Sequence, residues 1–543
     1  MPEKSSEDNT VTTRQGDLII PPTMVTRRPS ATRTRGESKD PKHTGLWGYA
    51  IVIVLTLLAF APILKSDFLW SEHDTVERTP YASMDDWKEA WSIDSIRRHD
   101  PLALSSYFFE SQLPLPQPAA HRLINLVLHI SAALLLLKVL ESLKLRGAFA
   151  AALVFALHPA VLQTLFWPGY RHELVGLVFI LASLFFGIRN RNLRDFLLTI
   201  AFATIASVLH SAALVLPFIL AACIFFRSKH FHLRHYNRVL PLFCVALFVG
   251  VWTHSGQTEQ MISQELSPLT RIGQNLYFYL QQAFLPLDLN LFHSFPERQG
   301  FNVGASNNLL AFLIFVPFYV LVAFNYRKRW ARGIFLGISS FILLLIYGLT
   351  QTGRFIDGSL AKEEHALYLA IPAAVALVFC GLAGFFEQKR TFGKLLWTGF
   401  FSLFLLVQVG LTTSYAFAVS EPPRMWQSMA AQWENSWQPK VALVETVRSS
   451  ESDLLSQSEM IQTLEEILEA NPERHGERIA LARYYREVGQ NTNALREYRR
   501  ILRETQPSDA FLKEAADFFD SLNLQWEADN TRERINSSTT SQN

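Results

Sequence analysis

The chain has 543 residues, of which 49% are hydrophobic and 13% aromatic, and its formal net charge is +2. These averages combine an apolar part, residues 45–415, with polar and charged flanks, so a membrane protein with a soluble tail is predicted. The sequence contains neither Gly-x-x-x-x-Gly-Lys-Ser/Thr nor a strand-bounded Gly-x-Gly-x-x-Gly, which excludes the common nucleotide-binding loops, and no nucleic-acid partner is expected.

Residues 1–44 are rich in Thr, Arg, Ser and Pro and have few large apolar side chains. Such a segment cannot bury a core, so a disordered, basic, cytoplasmic tail is predicted. The apolar run that follows is long enough to remain in the bilayer as a permanent anchor rather than a cleaved signal peptide.

Apolar runs of about 20 residues predict eleven membrane crossings, at 46–64, 121–141, 147–166, 173–189, 195–210, 211–226, 239–253, 307–326, 334–350, 366–386 and 395–415. Lys and Arg are concentrated in alternate connections, as in Arg189–Arg194 and Arg327–Arg332. This pattern predicts a cytoplasmic amino terminus and an external carboxyl terminus. Residues 276–291 contain Pro286 and are interpreted as a re-entrant or interfacial segment, with a paired hairpin crossing as the alternative.

The long external loop 65–120 is dense in acidic residues. Ser83 followed by acidic residues predicts a helix start, and Trp87 and Trp91 lie one turn apart, suited either to guiding a lipid-linked substrate or to simple anchoring at the interface. Near the membrane exit, Glu72 and Asp74 can act as a general base or remain ordinary solvated acids.

Four sequence blocks resemble the membrane O-mannosyltransferases with tetratricopeptide repeats, of the GT-C glycosyltransferase superfamily. They are His158-Pro159 followed by Trp167-Pro-Gly-Tyr-Arg171-His-Glu173, then His121-Arg-Leu-Ile-Asn125-Leu-Val-Leu-His129, Glu364-His365-Ala-Leu-Tyr368, and Phe68 to Pro80. The chain departs from the family pattern at Ser71, Asp100 and His365, where the family has an acid, an Arg and an Arg.

The resemblance implies an all-α, polytopic GT-C-like membrane domain at 45–415 and a polyprenyl-phosphate sugar as the donor. It implies Glu72 and Asp74 as catalytic residues, and a donor-binding set of Arg171, His172, Glu173, His121, Arg354, Glu364, His365 and Tyr368. No cofactor is assigned besides this lipid substrate, and a requirement for a divalent metal is left open.

The same residues also have structural interpretations. Arg171 and Glu173 suit either a donor site, in which Arg171 binds phosphate and Glu173 holds Arg171 or contacts sugar hydroxyls, or an interfacial ion pair. The face formed by His121, Asn125 and His129 suits either a polar cavity or bonds between neighbouring helices. His365 can bind phosphate when protonated, or pack structurally.

Residues 416–535 predict an external tetratricopeptide-like α-solenoid, followed by a disordered end at 536–543. A shift of 34 residues carries Ala482 to Ala516, Tyr485 to Phe519 and Ala494 to Ala528, and 34 is the period of that repeat. Such arrays bind extended peptides or partner proteins.

The predicted function is transfer of a sugar, such as mannose, from polyprenyl phosphate to a protein hydroxyl on the periplasmic or luminal side. A bacterial inner membrane is favoured. Two alternatives remain open: an inactive membrane anchor that presents the repeats as a docking platform, and an oligosaccharide ligase or flippase.

Overall fold

The computed structural model describes residues 44–66, 83–92, 101–228, 236–237, 239–254, 268–286, 293–294, 316–350, 354–356, 359–362, 365–386, 391–432, 436–449 and 453–540. These residues belong to one compact unit, 42–543. The predicted basic tail lies outside the described residues, apart from Thr44.

The membrane part is built from helices connected by short turns. Its helices are α1 (Leu46–Phe60), α2 (Met84–Ala90), α3 (Pro101–Ser111), α4 (Gln117–Ser142), α5 (Ala148–Ala156), α6 (Leu162–Phe166), α7 (Arg171–Arg189), α8 (Leu193–Leu209), α9 (Leu216–Arg227), α10 (Leu240–His254), α11 (Pro268–Phe284), α12 (Arg329–Thr350), α13 (Ile371–Val375), α14 (Gly381–Phe386) and α15 (Thr391–Ser420). Residues 316–324 are also helical.

Among the described residues, five segments are long and apolar enough to cross a bilayer: Leu46–Lys65, Pro118–Ser142, Arg171–Arg189, Arg329–Ile346 and Thr391–Ser420. At 1.5 Å per residue, about 20 helical residues span the roughly 30 Å hydrocarbon core. The predicted polytopic membrane protein is therefore confirmed. The other predicted crossings coincide with shorter helices, with the bent pair described next, or lie partly outside the described residues.

The predicted crossing at 147–166 is bent in the structure. Helix α5 ends at Ala156, Pro159–Val161 form a 3-10 turn, and the chain changes direction by 53° before α6. Pro159 lacks a backbone N–H and cannot continue the α-helical hydrogen bonding. The His158 ring accepts a hydrogen bond from the Ala160 N–H at 3.3 Å and caps the new turn.

Side chains from neighbouring helices bind the carbonyl groups at the end of α5. Gln408 and Thr412 of α15 donate to the carbonyls of Val154 and Leu157 at 2.7 and 2.6 Å. His129 of α4 binds the Ala156 carbonyl at 3.1 Å. In an apolar environment backbone groups need internal partners, so these three polar side chains make the bend compatible with a membrane interior.

A small three-stranded antiparallel sheet, absent from the predicted all-α fold, accompanies the helices. Its strands are β1 (His293–Ser294), β2 (Arg354–Ile356) and β3 (Ser359–Lys362), in the order β1-β3-β2. Arg354 pairs with Ala361, and Ile356 pairs with Ser359. Strand β3 ends three residues before His365 in the sequence.

The tail consists of helices α16 (Pro422–Gln432), α17 (Gln438–Ser449), α18 (Gln457–Ala470), α19 (His475–Glu487), α20 (Asn491–Glu504), α21 (Asp509–Ser521) and α22 (Gln525–Thr540). The 34-residue period of the sequence also appears in these bounds. Helices α18, α20 and α22 begin at Gln457, Asn491 and Gln525, and helices α19 and α21 begin at His475 and Asp509.

The turns between the tail helices repeat with the same period. Gly489 and Asn523 both have positive φ, +76° and +61°. The following backbone N–H groups, of Gln490 and Leu524, bond back to the carbonyls of Tyr485 and Phe519 at 2.8 and 2.9 Å. This is the left-handed helix ending that favours glycine or asparagine.

Small and aromatic side chains at the repeated positions form the core of the tail, as the 34-residue shift predicts. Ala482, Tyr485, Ala494, Ala516 and Phe519 are each at most 1% exposed. A charged network covers this core, in which Glu514 accepts hydrogen bonds from Arg483 at 2.7 Å and from Tyr498 at 2.6 Å. Helix pairing in the tail is therefore specified by buried apolar contacts and by charge pairs around them.

Candidate functional site

The candidate site lies at the start of α7, where Arg171 and Glu173 are both fully buried. Pro168–Tyr170 form a 3-10 turn, and the α-helix begins at Arg171. Residues two apart on a helix point about 200° apart, so Arg171 and Glu173 project to opposite sides. Glu173 therefore does not hold Arg171 as the sequence interpretation supposed, and each side chain has its own partners.

Arg171 is enclosed by α3 and α4. Its Nε donates to Asn125 Oδ1 at 2.7 Å, and Nη1 donates to Ser106 Oγ at 2.9 Å and to Glu110 Oε2 at 2.5 Å. Nη2 lies 3.4 Å from Glu110 Oε1, 3.1 Å from His121 Nδ1 and 3.2 Å from the His121 carbonyl oxygen. A guanidinium has five N–H donors on three nitrogens, and each of the three nitrogens of Arg171 contacts protein atoms.

Glu110 is the anionic partner of this first cluster and is 1% exposed. Its Oε1 also lies 2.9 Å from His121 Nδ1. Burial opposes ionisation of Glu110, but the hydrogen bond from His121 and the charge of Arg171 outweigh burial and keep its pKa below the usual range. The cluster therefore attaches the loop helix α3 to the ends of α4 and α7 through charge-assisted hydrogen bonds.

Glu110 was not among the residues singled out from the sequence. From the sequence it is only one of many acidic residues in the external loop. The signal that identifies it is its position after Tyr107-Phe108-Phe109, since an acid next to three aromatic residues on a short helix is a candidate for burial and pairing.

Glu173 forms a second cluster with three histidines. Its Oε2 lies 3.0 Å from His210 Nε2, and its Oε1 lies 3.7 Å from His172 Nε2 and 3.9 Å from His365 Nε2. Among these four residues His172 is the most accessible, with 30% of its side chain exposed. The structure thus brings together three of the predicted donor-site residues, His172, Glu173 and His365, and adds His210.

Aromatic stacking holds the histidine rings in place. The Tyr170 and His365 rings are parallel with centroids 4.1 Å apart, and the His172 and His210 rings are nearly parallel at 5.6 Å. His210 also caps the turn Ser211–Val215 by accepting the Ala212 N–H at 3.0 Å. Its place at the junction of two apolar runs is a sequence signal for a polar role at a helix end.

The second cluster has the side chains needed to bind a cation. Ligand atoms of His172, Glu173 and His210 all lie within 4.8 Å of one another. In the described part of the chain this is the one group of three or more His, Cys, Asp or Glu residues with such a spacing. Imidazole and carboxylate are common ligands of divalent transition metals.

The polar face of α4 bonds neighbouring helices, which is one of its two sequence interpretations. Asn125 donates to the Leu165 carbonyl at 3.0 Å and accepts from Arg171. His129 Nδ1 lies 3.0 Å from the Tyr368 hydroxyl. Tyr368, predicted as a donor-site residue, is fully buried and joins the segment after His365 to α4.

Helix α2 begins at Met84, one residue after the predicted Ser83 start. Trp87 Nε1 and Trp91 Nε1 both donate to Ser105 Oγ, at 3.0 and 2.9 Å. The paired tryptophans therefore dock α2 on α3, and so connect the acidic loop indirectly to the Glu110 cluster.

Several predicted site residues are not located by the structure. Glu72, Asp74 and Glu364 lie outside the described residues, and Arg354 is described only as the first residue of β2. Their roles stay predictions.

A comparison with protein-family profiles gives no match. The chain is 21% identical over 376 residues to a protein O-mannosyl-transferase, F38B6.6, of Caenorhabditis elegans, an alignment covering 64% of this chain. The chain spans about half of that relative, 53% of its length. Two structures of the mycobacterial arabinofuranosyltransferase AftD are similar at 13% and 15% identity, each with a TM-score of 0.38, covering 73% of this chain and 30% and 29% of AftD.

Proposed function

We propose that this chain is a membrane glycosyltransferase of the GT-C type, which transfers a sugar such as mannose from a polyprenyl phosphate to a protein hydroxyl. The main support for this reaction class is the similarity to the Caenorhabditis elegans protein O-mannosyl-transferase. The buried Glu173 cluster supports it, since ionisable groups at the head of a membrane helix are costly and mark functional sites.

In this reaction the acceptor hydroxyl oxygen attacks the anomeric carbon of the sugar. The bond from that carbon to the phosphate oxygen breaks, polyprenyl phosphate leaves, and the hydroxyl proton passes to a general base. Glu72 or Asp74 is the proposed base, and His365 with the other residues of the Glu173 cluster is proposed to face the donor phosphate.

Arg171 is proposed to act as a positioning residue and not as the phosphate ligand that the motif implies. Its three nitrogens already contact Asn125, Ser106, Glu110 and His121. By fixing Glu110, Arg171 holds α3, and α3 in turn carries the docking site for α2. The external loop is thereby held over the start of α7.

The proposed topology has eleven crossings, a cytoplasmic amino terminus and an external carboxyl terminus. The alternation of Lys- and Arg-rich connections supports it. The tail is then proposed to be a tetratricopeptide-like platform on the same side as the external loop, where it presents the acceptor protein. The 34-residue period of its helix bounds supports this assignment.

The test is transfer of radiolabelled mannose from a short polyprenyl phosphate to a Ser/Thr-rich peptide by the purified full chain in detergent. The double variant Glu72→Gln/Asp74→Asn is expected to lose about 10²–10⁴-fold in rate, the usual contribution of a general base. Asp85→Asn is the matched control, because Asp85 is an exposed acid of the same loop. Unchanged transfer by the double variant would remove both residues as bases.

A second candidate function is an inactive membrane anchor that presents the tail as a docking platform. Ser71 and Asp100 favour it, because they replace an acid and an Arg of the resembled family. Absence of transfer by the unaltered protein, with any lipid-linked sugar offered, would support this function over the transferase.

A further inference from the structure

Glu173 is a buried carboxylate without a matching cationic side chain. Its Oε2 lies 3.0 Å from His210 Nε2, whereas no hydrogen-bond donor in the described part of the chain reaches Oε1. Arg171, the nearest guanidinium in sequence, points to the opposite side of α7 and binds Glu110. The atoms around Glu173 are therefore nitrogens of histidines, and a negative charge enclosed in this way requires a positive partner.

In the His172 and His210 rings, the hydrogen bond made by Nδ1, on the side away from Glu173, defines which ring nitrogen carries the proton. His172 Nδ1 lies 3.0 Å from the Gly169 carbonyl oxygen, which can only accept, so Nδ1 carries the hydrogen. In the neutral ring Nε2 then has a lone pair, and this lone pair faces Glu173 Oε1 at 3.7 Å. Two acceptors facing each other leave a position for a cation between them.

His210 has the opposite arrangement. Its Nδ1 accepts the Ala212 N–H at 3.0 Å, so Nε2 carries the hydrogen in the neutral ring. His210 therefore supports the Glu173 Oε2 charge from beside it and does not supply a lone pair to a metal. A backbone carbonyl or carboxylate that orients the far ring nitrogen is the usual companion of a metal-binding histidine, and here His172 has one.

We propose that Glu173 Oε1, His172 Nε2 and His365 Nε2 bind a divalent transition-metal cation of the zinc class. One carboxylate and two imidazoles with an open fourth position form a set that zinc enzymes use. In a tetrahedral site with zinc–ligand bonds of about 2.1 Å, neighbouring ligand atoms lie about 3.4 Å apart. Two of the three separations in this set, 3.7 and 3.9 Å from Oε1 to the two histidine nitrogens, lie close to this value.

The surroundings hold the three ligands in place and leave the site accessible. Tyr170 stacks on His365, and His210 stacks on His172. The partly exposed His172 side chain provides a route for the ion from outside. The role of the cation rests on the proposed function: its open position takes an anionic oxygen of the donor phosphate, which supplies the charge that Arg171 does not.

The test measures metal binding before activity. The full chain is purified in detergent through a tag without histidines, stripped with a chelator and titrated with Zn²⁺ and with Co²⁺, whose visible absorption reports its ligands. About one bound equivalent is expected, with Co²⁺ bands typical of tetrahedral nitrogen and oxygen ligands. No binding by the folded wild-type protein would overturn the proposal, because the cluster would then be neutralised by a proton.

Variants assign the ligands. Glu173→Gln and His172→Gln are each expected to weaken Co²⁺ binding at least tenfold, whereas His475→Gln, at an exposed histidine of the tail, should leave it unchanged. Binding that survives both ligand variants would overturn the assignment. If a variant does not fold, the wild-type titration still decides. Metal binding by a protein without transferase activity would support this site and contradict only the proposed function.

Discussion

Replacing Arg171 with methionine tests whether its role is structural. The Arg171→Met variant leaves Glu110, 1% exposed, without its cation. Removal of one partner from a buried ion pair costs about 3–5 kcal/mol, because the other charge remains enclosed. Ser106, Asn125 and His121 also lose contacts, so we expect the upper part of this range.

The double variant Arg171→Met/Glu110→Met removes both charges. Replacing a buried ion pair with apolar side chains of similar volume is often nearly neutral, so the double variant should be more stable than Arg171→Met alone. The coupling obtained from this double-mutant cycle measures the pair itself. Arg327→Met is the control; Arg327 is an exposed arginine of the membrane part, and substitution there should leave the apparent Tm close to that of the wild-type protein.

The buried cysteines provide the assay. Cys223 and Cys380 are buried, whereas Cys244 is exposed, so a Cys244→Ser background gives a thiol-reactive dye access mainly on unfolding. Apparent Tm in detergent should fall clearly for Arg171→Met and recover in part for the double variant. An Arg171→Met protein with unchanged Tm and a raised KM for the lipid donor would refute the structural role and restore the phosphate site that the motif implies.

Three further predictions concern a buried hydroxyl, a turn and a charged network. Tyr368→Phe removes the hydroxyl next to His129 Nδ1 and should cost about 1–3 kcal/mol in the same thiol assay, as expected for a buried polar atom that loses its partner. Gly489→Ala places a side chain at φ +76° and should destabilise the tail by about 1–2 kcal/mol, measured as faster hydrogen exchange in α19 and α20. Burial raises the pKa of Glu514, but hydrogen bonds from Arg483 and Tyr498 outweigh burial and hold this pKa below its usual value of 4.5. Its stabilising contribution is therefore present above about pH 4.5 and is lost as the pH falls through the folded-state pKa, and Glu514→Gln should reduce this acid sensitivity of hydrogen exchange in α21.

Each of these predictions has a control in the same part of the chain. Tyr277→Phe changes an exposed tyrosine, Gly476→Ala changes a helical glycine with open space around it, and Glu504→Gln changes an exposed acid of the tail. Effects as large in the controls as in the test variants would contradict the assigned contacts. Equal acid sensitivity of the wild-type protein and Glu514→Gln would exclude Glu514 as its source.

Much of the fold follows from local pattern. Apolar runs of about 20 residues marked helices such as Pro118–Ser142 and Thr391–Ser420, because a membrane span must satisfy its backbone within the segment. The bend after Ala156 was harder to place, since it depends on the side chains of Gln408, Thr412 and His129 that reach the freed carbonyls. These partners come from distant parts of the chain, and no local pattern identifies them.

The candidate site was predictable in its members but not in its pairing. The motif that carries Arg171 and Glu173 marked both residues, and their spacing on one helix already placed them on opposite sides. Which groups meet them depends on the loop helix α3, the turn after His210 and the segment after β3. The fold brings these three segments together, so that Arg171 pairs with Glu110 and Glu173 lies among three histidines. This pairing depends on long-range packing.

The sequence by itself determined that the chain is an apolar helical membrane part followed by a tail with a 34-residue period, because hydrophobicity and helical repeat are local properties. The tertiary structure alone decided where the charges pair. A buried guanidinium and a buried carboxylate each need partners of matching geometry, and here those partners lie far along the chain. As a result Arg171 is engaged within the protein, while Glu173 is left among histidine nitrogens at the start of α7.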